Sequence, residues 1–138
     1  AVYRLHEPDP PAHPRLGTRD QQIATDLTFR CPAEEMAKLL AAKGASVWQY
    51  EFDADPSGGR TSHAIEIGYA FGDLKFRSGL SLKPYWLNFI RTGNPNDDGL
   101  PAWPVYTEGK PAHVYFSDSG VRTGGALRPE ICSLLDRI

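Results

Sequence analysis

One histidine of this chain stands where a proton-transfer residue would be useful. His63 follows a loop that contains Gly58 and Gly59, and it precedes a short apolar stretch that is predicted to be helical. A loop held by a rigid scaffold suits a general acid or base, because the imidazole must reach two partners. A lone histidine on a loop is also often simply solvated, so position alone leaves both interpretations open.

The remaining candidates for chemistry are few. His6, His13 and His113 are interpreted as surface histidines, and no pair of histidines has ligand spacing with a cysteine or carboxylate. No metal site and no cofactor are therefore predicted. Cys31 and Cys132 are too few for a zinc site or a small disulfide scaffold, and their spacing alone favours two separate buried thiols.

Composition excludes several classes of partner. The chain has 138 residues, of which 41% are apolar and 23% charged, as in an ordinary globular domain. Its 15 basic and 17 acidic residues include no basic run, so neither nucleic acid nor an anionic membrane surface is expected as a partner. No apolar run approaches the ~20 residues of a membrane helix, and the first residues do not have the pattern of a signal peptide.

The start of the chain is predicted to be irregular and then helical. Residues 1–17 are expected to be an extended strap, because four positions between 8 and 14 are proline. A capping box of Thr18 and Gln21 predicts a helix that runs to about Arg30. A second helix is expected to begin at Pro32 and end at Gly44, with an apolar stripe formed by three residues: Met36, Leu39 and Leu40.

The rest of the chain alternates strand and helix. Residues 46–53 are predicted to be a strand with Trp48, Tyr50 and Phe52 on one face, and residues 112–117 a second strand. Helices are expected from Pro84 to Gly93 and from Pro129 onward, and a turn near Gly120. This order indicates an α/β fold, mostly helical, with two strands of an incomplete sheet. Because two strands alone are marginal, another polypeptide segment is expected to complete the sheet.

Five local patterns, in the same order along the chain, resemble type-B carboxylesterases, the α/β-hydrolase group that includes the cholinesterases. They are DLTFRCP at residues 26–32, VWQYEF at 47–52, HAIE at 63–66 followed by FG at 71–72, YWLNF at 85–89, and TGNPN at 92–96 leading to Trp103, Pro104 and Tyr106. The resemblance covers about residues 18–135 and corresponds to the carboxy-terminal part of a longer enzyme. It implies that residues 1–138 are part of one α/β-hydrolase domain.

The resemblance implies that His63 is the histidine of a Ser–His–acid triad that hydrolyses carboxylic esters. It also implies that Glu66 is a buried group that holds the histidine loop. Two other interpretations of Glu66 stay open: a helix N-terminal charge, and the triad acid. Ile65 is expected, by resemblance only, to touch the alcohol side of the substrate.

The chain has no G-x-S-x-G elbow, and in this fold serine and acid precede the histidine. An upstream segment or a second chain is therefore expected to supply the serine, the acid and the oxyanion hole, so this chain alone is expected to be inactive on its small-molecule ester. The alternative function is that of a non-catalytic cholinesterase-like binding or adhesion module. An upstream G-x-S-x-G would favour the enzyme, and alanine or glycine in place of the serine would favour the binding module.

The resemblance changes the interpretation of the cysteines. Cholinesterase-like proteins carry a disulfide between the two places that Cys31 and Cys132 occupy, so a Cys31–Cys132 bridge is implied. Such a bridge would stabilise the fold by about 4.7 kcal/mol in the chain-entropy model. It also implies an oxidising compartment, so the protein is expected to be secreted or periplasmic.

Overall fold

The computed structural model describes residues 12–13 and 17–134. Most of the proline-rich strap expected at residues 1–17 therefore lies outside the described residues, as do the His6 and His13 side chains. In chain order the elements are β1 (Ala12–His13), β2 (Gly17–Thr18), α1 (Arg19–Thr25), a π-helical segment (Asp26–Arg30), α2 (Cys31–Ala42), β3 (Gln49–Asp53), α3 (Ile67–Ala70), α4 (Lys83–Thr92), β4 (His113–Ser117), β5 (Gly120–Gly124) and α5 (Pro129–Cys132).

The main sheet has three strands in the order β3-β4-β5. β3 and β4 are parallel, with Gln49 opposite His113, and β4 and β5 are antiparallel. The predicted turn near Gly120 is present at residues 118–119, but the sequence analysis did not predict the strand at residues 120–124 that follows it. Glycines at both ends of β5 weaken its local strand signal, and the strand forms because its backbone pairs with β4.

The helix boundaries follow their local signals. The Thr18 hydroxyl accepts a hydrogen bond from the Gln21 amide at 3.3 Å, and the Gln21 side chain accepts one from the Thr18 amide at 2.9 Å. This reciprocal capping box begins α1, as predicted. Gly93 ends α4 with φ 75°, a left-handed conformation that costs a residue with a side chain more than glycine.

The core lies beside β3 and β4 and consists mostly of aromatic rings. Tyr85 and Phe116 are completely buried, and Tyr50, Trp103 and Phe116 meet edge to face. The Trp103 indole donates a hydrogen bond to the Gln49 carbonyl at 2.9 Å, so this ring ties the loop after α4 to β3. The predicted face of Trp48, Tyr50 and Phe52 does pack against this core.

The apolar stripe predicted for α2 is not the face that it buries in this chain. The buried residues are Cys31, Glu34 and Ala37, while Met36, Leu39 and Leu40 are exposed. Spacing identified an apolar face correctly, but no described residue covers it. The buried face is polar in part, because the Glu34 carboxylate accepts hydrogen bonds from the Tyr106 hydroxyl at 2.8 Å and the Leu127 amide at 3.1 Å.

Cys31 and Cys132 form a disulfide, with their Cα atoms 5.1 Å apart. The bridge joins the start of α2 to α5 across 101 positions of sequence, and both cysteines are buried against Ile131. Two separate thiols, which spacing alone favoured, are therefore not what the structure contains. Spacing could not reveal the bridge, because the contact depends on the docking of α5.

Burial of Tyr85 predicts a loss of stability in alkaline solution. Burial raises the pKa of Tyr85 to about 12, and its hydroxyl donates to the Pro101 carbonyl at 2.8 Å. The phenol of the unfolded chain ionises near pH 10. The stability that the buried neutral phenol contributes is therefore complete below pH 10 and is lost as pH rises toward 12. Chemical denaturation between pH 10 and 12 measures how the free energy of unfolding falls with pH. In a Tyr85→Phe variant this fall is expected to be less steep than in the wild type, by up to about 1.4 kcal/mol per pH unit. Equal slopes in both proteins would contradict this.

The buried amide of Gln49 indicates a position where a substitution should stabilise the protein. Its side-chain amide is buried, and neither the nitrogen nor the oxygen has a hydrogen-bond partner in the described part of the chain. Gln49→Met keeps the volume and removes the unsatisfied groups, so the free energy of unfolding is expected to rise by about 1 kcal/mol. Gln22 is the matched control, because its buried amide donates to the Gly17 carbonyl at 3.1 Å. Gln22→Met should destabilise, and a loss of stability in Gln49→Met would contradict the prediction.

Candidate active site

His63 lies on the loop that follows the carboxyl end of β3, as predicted. The next residue, Ala64, has φ 68°, a left-handed conformation that a non-glycine residue rarely adopts. Two backbone bonds span this point: the Ile65 amide donates to the Ser62 carbonyl at 3.3 Å, and the Ile67 amide donates to the Ala64 carbonyl at 3.2 Å. Strain of this kind persists where the surrounding structure enforces it, and it is concentrated at functional sites.

One face of the His63 ring is covered, and no described residue hydrogen-bonds to its nitrogens. The imidazole stacks on Phe29 of the π-helical segment, with ring centroids 5.0 Å apart and an interplanar angle of 27°. His63 is otherwise exposed, and within residues 17–134 neither ring nitrogen makes a hydrogen bond. The ring is thus oriented by stacking, and both nitrogens are available to groups outside the described residues.

His63 borders a cavity of about 510 Å³, a size suited to a small molecule. Its wall also includes Glu66, Tyr50, Phe52, Asp53, Thr61, Tyr115 and Arg128. Ile65 is half-buried but does not line this cavity. Its contact with substrate therefore stays a prediction.

Glu66 shares the cavity wall with His63 and lies just before α3. Its backbone carbonyl accepts hydrogen bonds from the Tyr69 amide at 2.9 Å and the Ala70 amide at 2.8 Å. Its side chain is half-buried, and the pKa of Tyr50 is raised to about 12 by burial and then by the Glu66 charge. The carboxylate thus faces the cavity near Tyr50, and its role toward His63 stays a prediction.

A chain of ion pairs forms the side of the cavity next to Phe29. The completely buried Asp26 carboxylate accepts from Arg30 at 3.0 Å and from Arg128 at 3.1 Å, and Arg30 also donates to Glu51 at 2.6 Å. Burial alone would lower the pKa of Arg30, but Glu51 and Asp26 outweigh it and raise that pKa. These bonds connect β3, the π-helical segment and the residue before α5.

Sequence reasoning assigned no role to Asp26, Arg30 or Arg128. The only local signal was that Asp26 precedes Cys31 by five positions and Arg128 precedes Cys132 by four. The ion pair and the disulfide therefore join the same two segments. His113, interpreted as a surface histidine, is half-buried and forms a hydrogen bond through Nδ1 with the Gly125 carbonyl at 2.6 Å.

Known esterases are similar to this chain in sequence. The model of the carboxylesterase family matches residues 3–134. Acetylcholinesterase of Bungarus fasciatus is 32% identical over 130 residues, which are 80% of this chain and 21% of that protein. Carboxylesterase 1C of Mus musculus is 34% identical over 100 residues, which are 60% of this chain and 18% of that protein.

A solved structure matches almost the whole chain. The carboxylesterase EST55 of Geobacillus stearothermophilus superposes with a TM-score of 0.75 and 26% identity, over 96% of this chain and 30% of that one. The chain thus spans about a fifth of the length of the curated relatives, at 21% and 18%, and under a third of the solved structure.

Proposed function

This chain belongs to the carboxylesterase family, and we propose that it supplies the catalytic histidine of a serine esterase. The observation that carries the proposal is the state of His63. Its ring is stacked on Phe29 beside a cavity, and its nitrogens are free to bind groups outside the described residues. The fold is the corresponding part of an α/β-hydrolase, as the sequence indicated.

In the proposed reaction one nitrogen of His63 takes the proton of a serine hydroxyl as that oxygen attacks the ester carbonyl. The same nitrogen then returns the proton to the leaving alcohol, and water repeats the cycle on the acyl-enzyme. The other ring nitrogen donates to a carboxylate, which fixes the tautomer and stabilises the imidazolium. Stacking on Phe29 supports this role, because it leaves both ring edges accessible.

An upstream segment or a partner chain supplies the serine, the acid and the oxyanion hole. The absence of a G-x-S-x-G elbow from the sequence supports this, as does the small share of each relative that the chain spans. Within the described residues the outer edge of β3 pairs with no further strand, so another strand can add there. Met36 of α2 is 60% exposed and Ile90 of α4 is 68% exposed, as expected of faces that another segment covers.

The protein is secreted or periplasmic in this proposal. The Cys31–Cys132 disulfide supports an oxidising compartment, because cytosolic thiols are kept reduced. In the part of the chain that the structure describes, no helix has the length and apolar character needed to span a membrane.

The test compares this chain with the complete polypeptide that contains it. Hydrolysis of an aryl acetate, followed by release of the phenol, is expected from the complete polypeptide and not from residues 1–138 alone. A stoichiometric burst of phenol is expected before the steady state, because an acyl-enzyme accumulates. Intact mass with and without reductant then shows whether the serine lies on the same chain or on a second one.

Two results would contradict the proposal. One is an upstream sequence with alanine or glycine in place of the nucleophilic serine, which would favour the binding or adhesion module. The other is hydrolysis by the complete polypeptide that is unaffected by loss of His63.

A further inference from the structure

We propose that Asp53 is a positioning residue for His63, and that it acts by joining Thr61 of the histidine loop to Tyr115 of the sheet. The proposal rests on the catalytic role proposed above for His63. Its evidence is independent of that role, because it comes from the contacts at the carboxyl end of β3.

Both oxygens of the Asp53 carboxylate are engaged. The Thr61 hydroxyl donates to Oδ1 at 2.8 Å, and the Tyr115 hydroxyl donates to Oδ2. Two bonds to two different oxygens fix the rotation of the carboxylate as well as its position. Hydrogen bonds to an ionised acceptor are also stronger than those between neutral groups.

The two residues that bond to Asp53 differ in how firmly the fold holds them. Tyr115 belongs to β4, the central strand of the sheet, and Arg122 of β5 lies over its ring at 4.3 Å. Thr61 stands eight positions after Asp53, at the far end of a loop whose residues 56–60 are all exposed. Asp53 therefore links Thr61, two positions before His63, to the central strand of the sheet.

The loop between Asp53 and Thr61 is rich in glycine, and its other contacts include a longer one from the Thr61 hydroxyl to the Ala54 carbonyl at 3.5 Å. Gly58 has φ 76° and adjoins Gly59, so the middle of the loop is flexible by composition. Asp55 binds the Ser57 amide at 2.7 Å, which shapes a local turn, and Arg60 reaches Gln21 at 3.2 Å on the exposed side. The Asp53–Thr61 bond joins two residues of the cavity wall, and Thr61 precedes His63 by two positions.

Loss of this bond is expected to displace the imidazole without removing it. Misplacement of a catalytic group by about 1 Å can cost about 100-fold in rate. In the complete polypeptide, Asp53→Ala is expected to lower kcat by about 10- to 100-fold with KM little changed. Thr61→Val is expected to have a similar effect, and Thr61→Ser, which keeps the hydroxyl, is expected to restore kcat to near the parent value.

The matched control is Asp55→Ala. Asp55 is a carboxylate two positions after Asp53, at the start of the loop, but it binds Ser57 and does not border the cavity. Its replacement is expected to change kcat by less than about twofold. A second control combines Asp53→Ala with His63→Ala: a positioning residue has no further effect on kcat once the histidine is gone.

A spectroscopic readout separates this proposal from the proposed function. With isotope-labelled histidine, the His63 ring signal is assigned by its loss in His63→Gln, and stacking on Phe29 shifts it upfield. Asp53→Ala and Thr61→Val are expected to move this signal toward the value of a free histidine, and Asp55→Ala is not.

A polypeptide without esterase activity, but with this spectral change, would refute the proposed function and keep the positioning role. An unchanged His63 signal and unchanged kcat in both Asp53→Ala and Thr61→Val would overturn the positioning role.

Discussion

Replacement of His63 with alanine is expected to lower kcat of the complete polypeptide by at least about 10⁴-fold. The reason is that, in the proposed triad, the serine loses its general base and the leaving alcohol loses its general acid in the same change. KM is expected to stay within a few-fold, because the cavity wall around His63 remains. Steady-state hydrolysis of an aryl acetate at fixed pH measures both constants.

The matched control for this prediction is His113→Gln. His113 is half-buried on β4, bonds the Gly125 carbonyl at 2.6 Å and does not border the cavity. Its replacement should leave kcat within about threefold, since most substitutions away from the site affect stability rather than rate. Added imidazole should restore part of the activity of His63→Ala by entering the vacated space. A fall in kcat of less than tenfold in His63→Ala would be incompatible with a triad histidine.

The elements that could be predicted from sequence are those with strong local signals. Thr18 and Gln21 predicted the start of α1, and Gly93 the end of α4, because a capping box and a left-handed glycine act within a few residues. Alternation of Trp48, Tyr50 and Phe52 predicted β3 for the same reason. The position of His63 on a loop also followed from local composition.

The features that could not be predicted depend on contacts between distant segments. Asp26 and Arg128 are 102 positions apart, and Glu34 and Leu127 are 93 apart, so no local pattern connects them. β5 forms because its backbone pairs with β4, a contact that local sequence does not reveal. The sequence correctly predicted an apolar stripe on α2. The stripe is exposed, because the segment expected to cover it is not among the described residues.

The residues of the candidate site also fall into those that the sequence could indicate and those that it could not. Resemblance supplied His63, Glu66 and the cysteine pair, and of these the structure contains the Cys31–Cys132 bridge. The roles of His63, Glu66 and Ile65 stay predictions, as does the assignment of residues 1–138 to part of one domain. Asp53 was not singled out, because its importance lies in the Thr61 and Tyr115 hydroxyls that surround it.

Removal of the Cys31–Cys132 disulfide is expected to have the largest effect on stability. The bridge closes a loop across 101 positions, and its loss frees the unfolded chain, which costs about 2–5 kcal/mol of stability. A double Cys31→Ala and Cys132→Ala variant avoids a stray thiol, and chemical denaturation under oxidising conditions measures the difference. Some of the loss comes from the two buried sulfurs, because alanine leaves small voids beside Ile131.

Comparison with reduced wild-type protein separates the bridge from the packing. Reductant should lower the stability of the wild type but not that of the double variant. α5 has four residues in the described part of the chain, and the residues just before it are tied to the fold by the Asp26–Arg128 ion pair and the Glu34–Leu127 bond, among other contacts. Without the bridge these polar contacts carry more of the work of holding Leu127 and Arg128 in the cavity wall. An Arg128→Ala change should therefore destabilise the reduced protein more than the oxidised one, and equal losses in both would mean that the two links act independently.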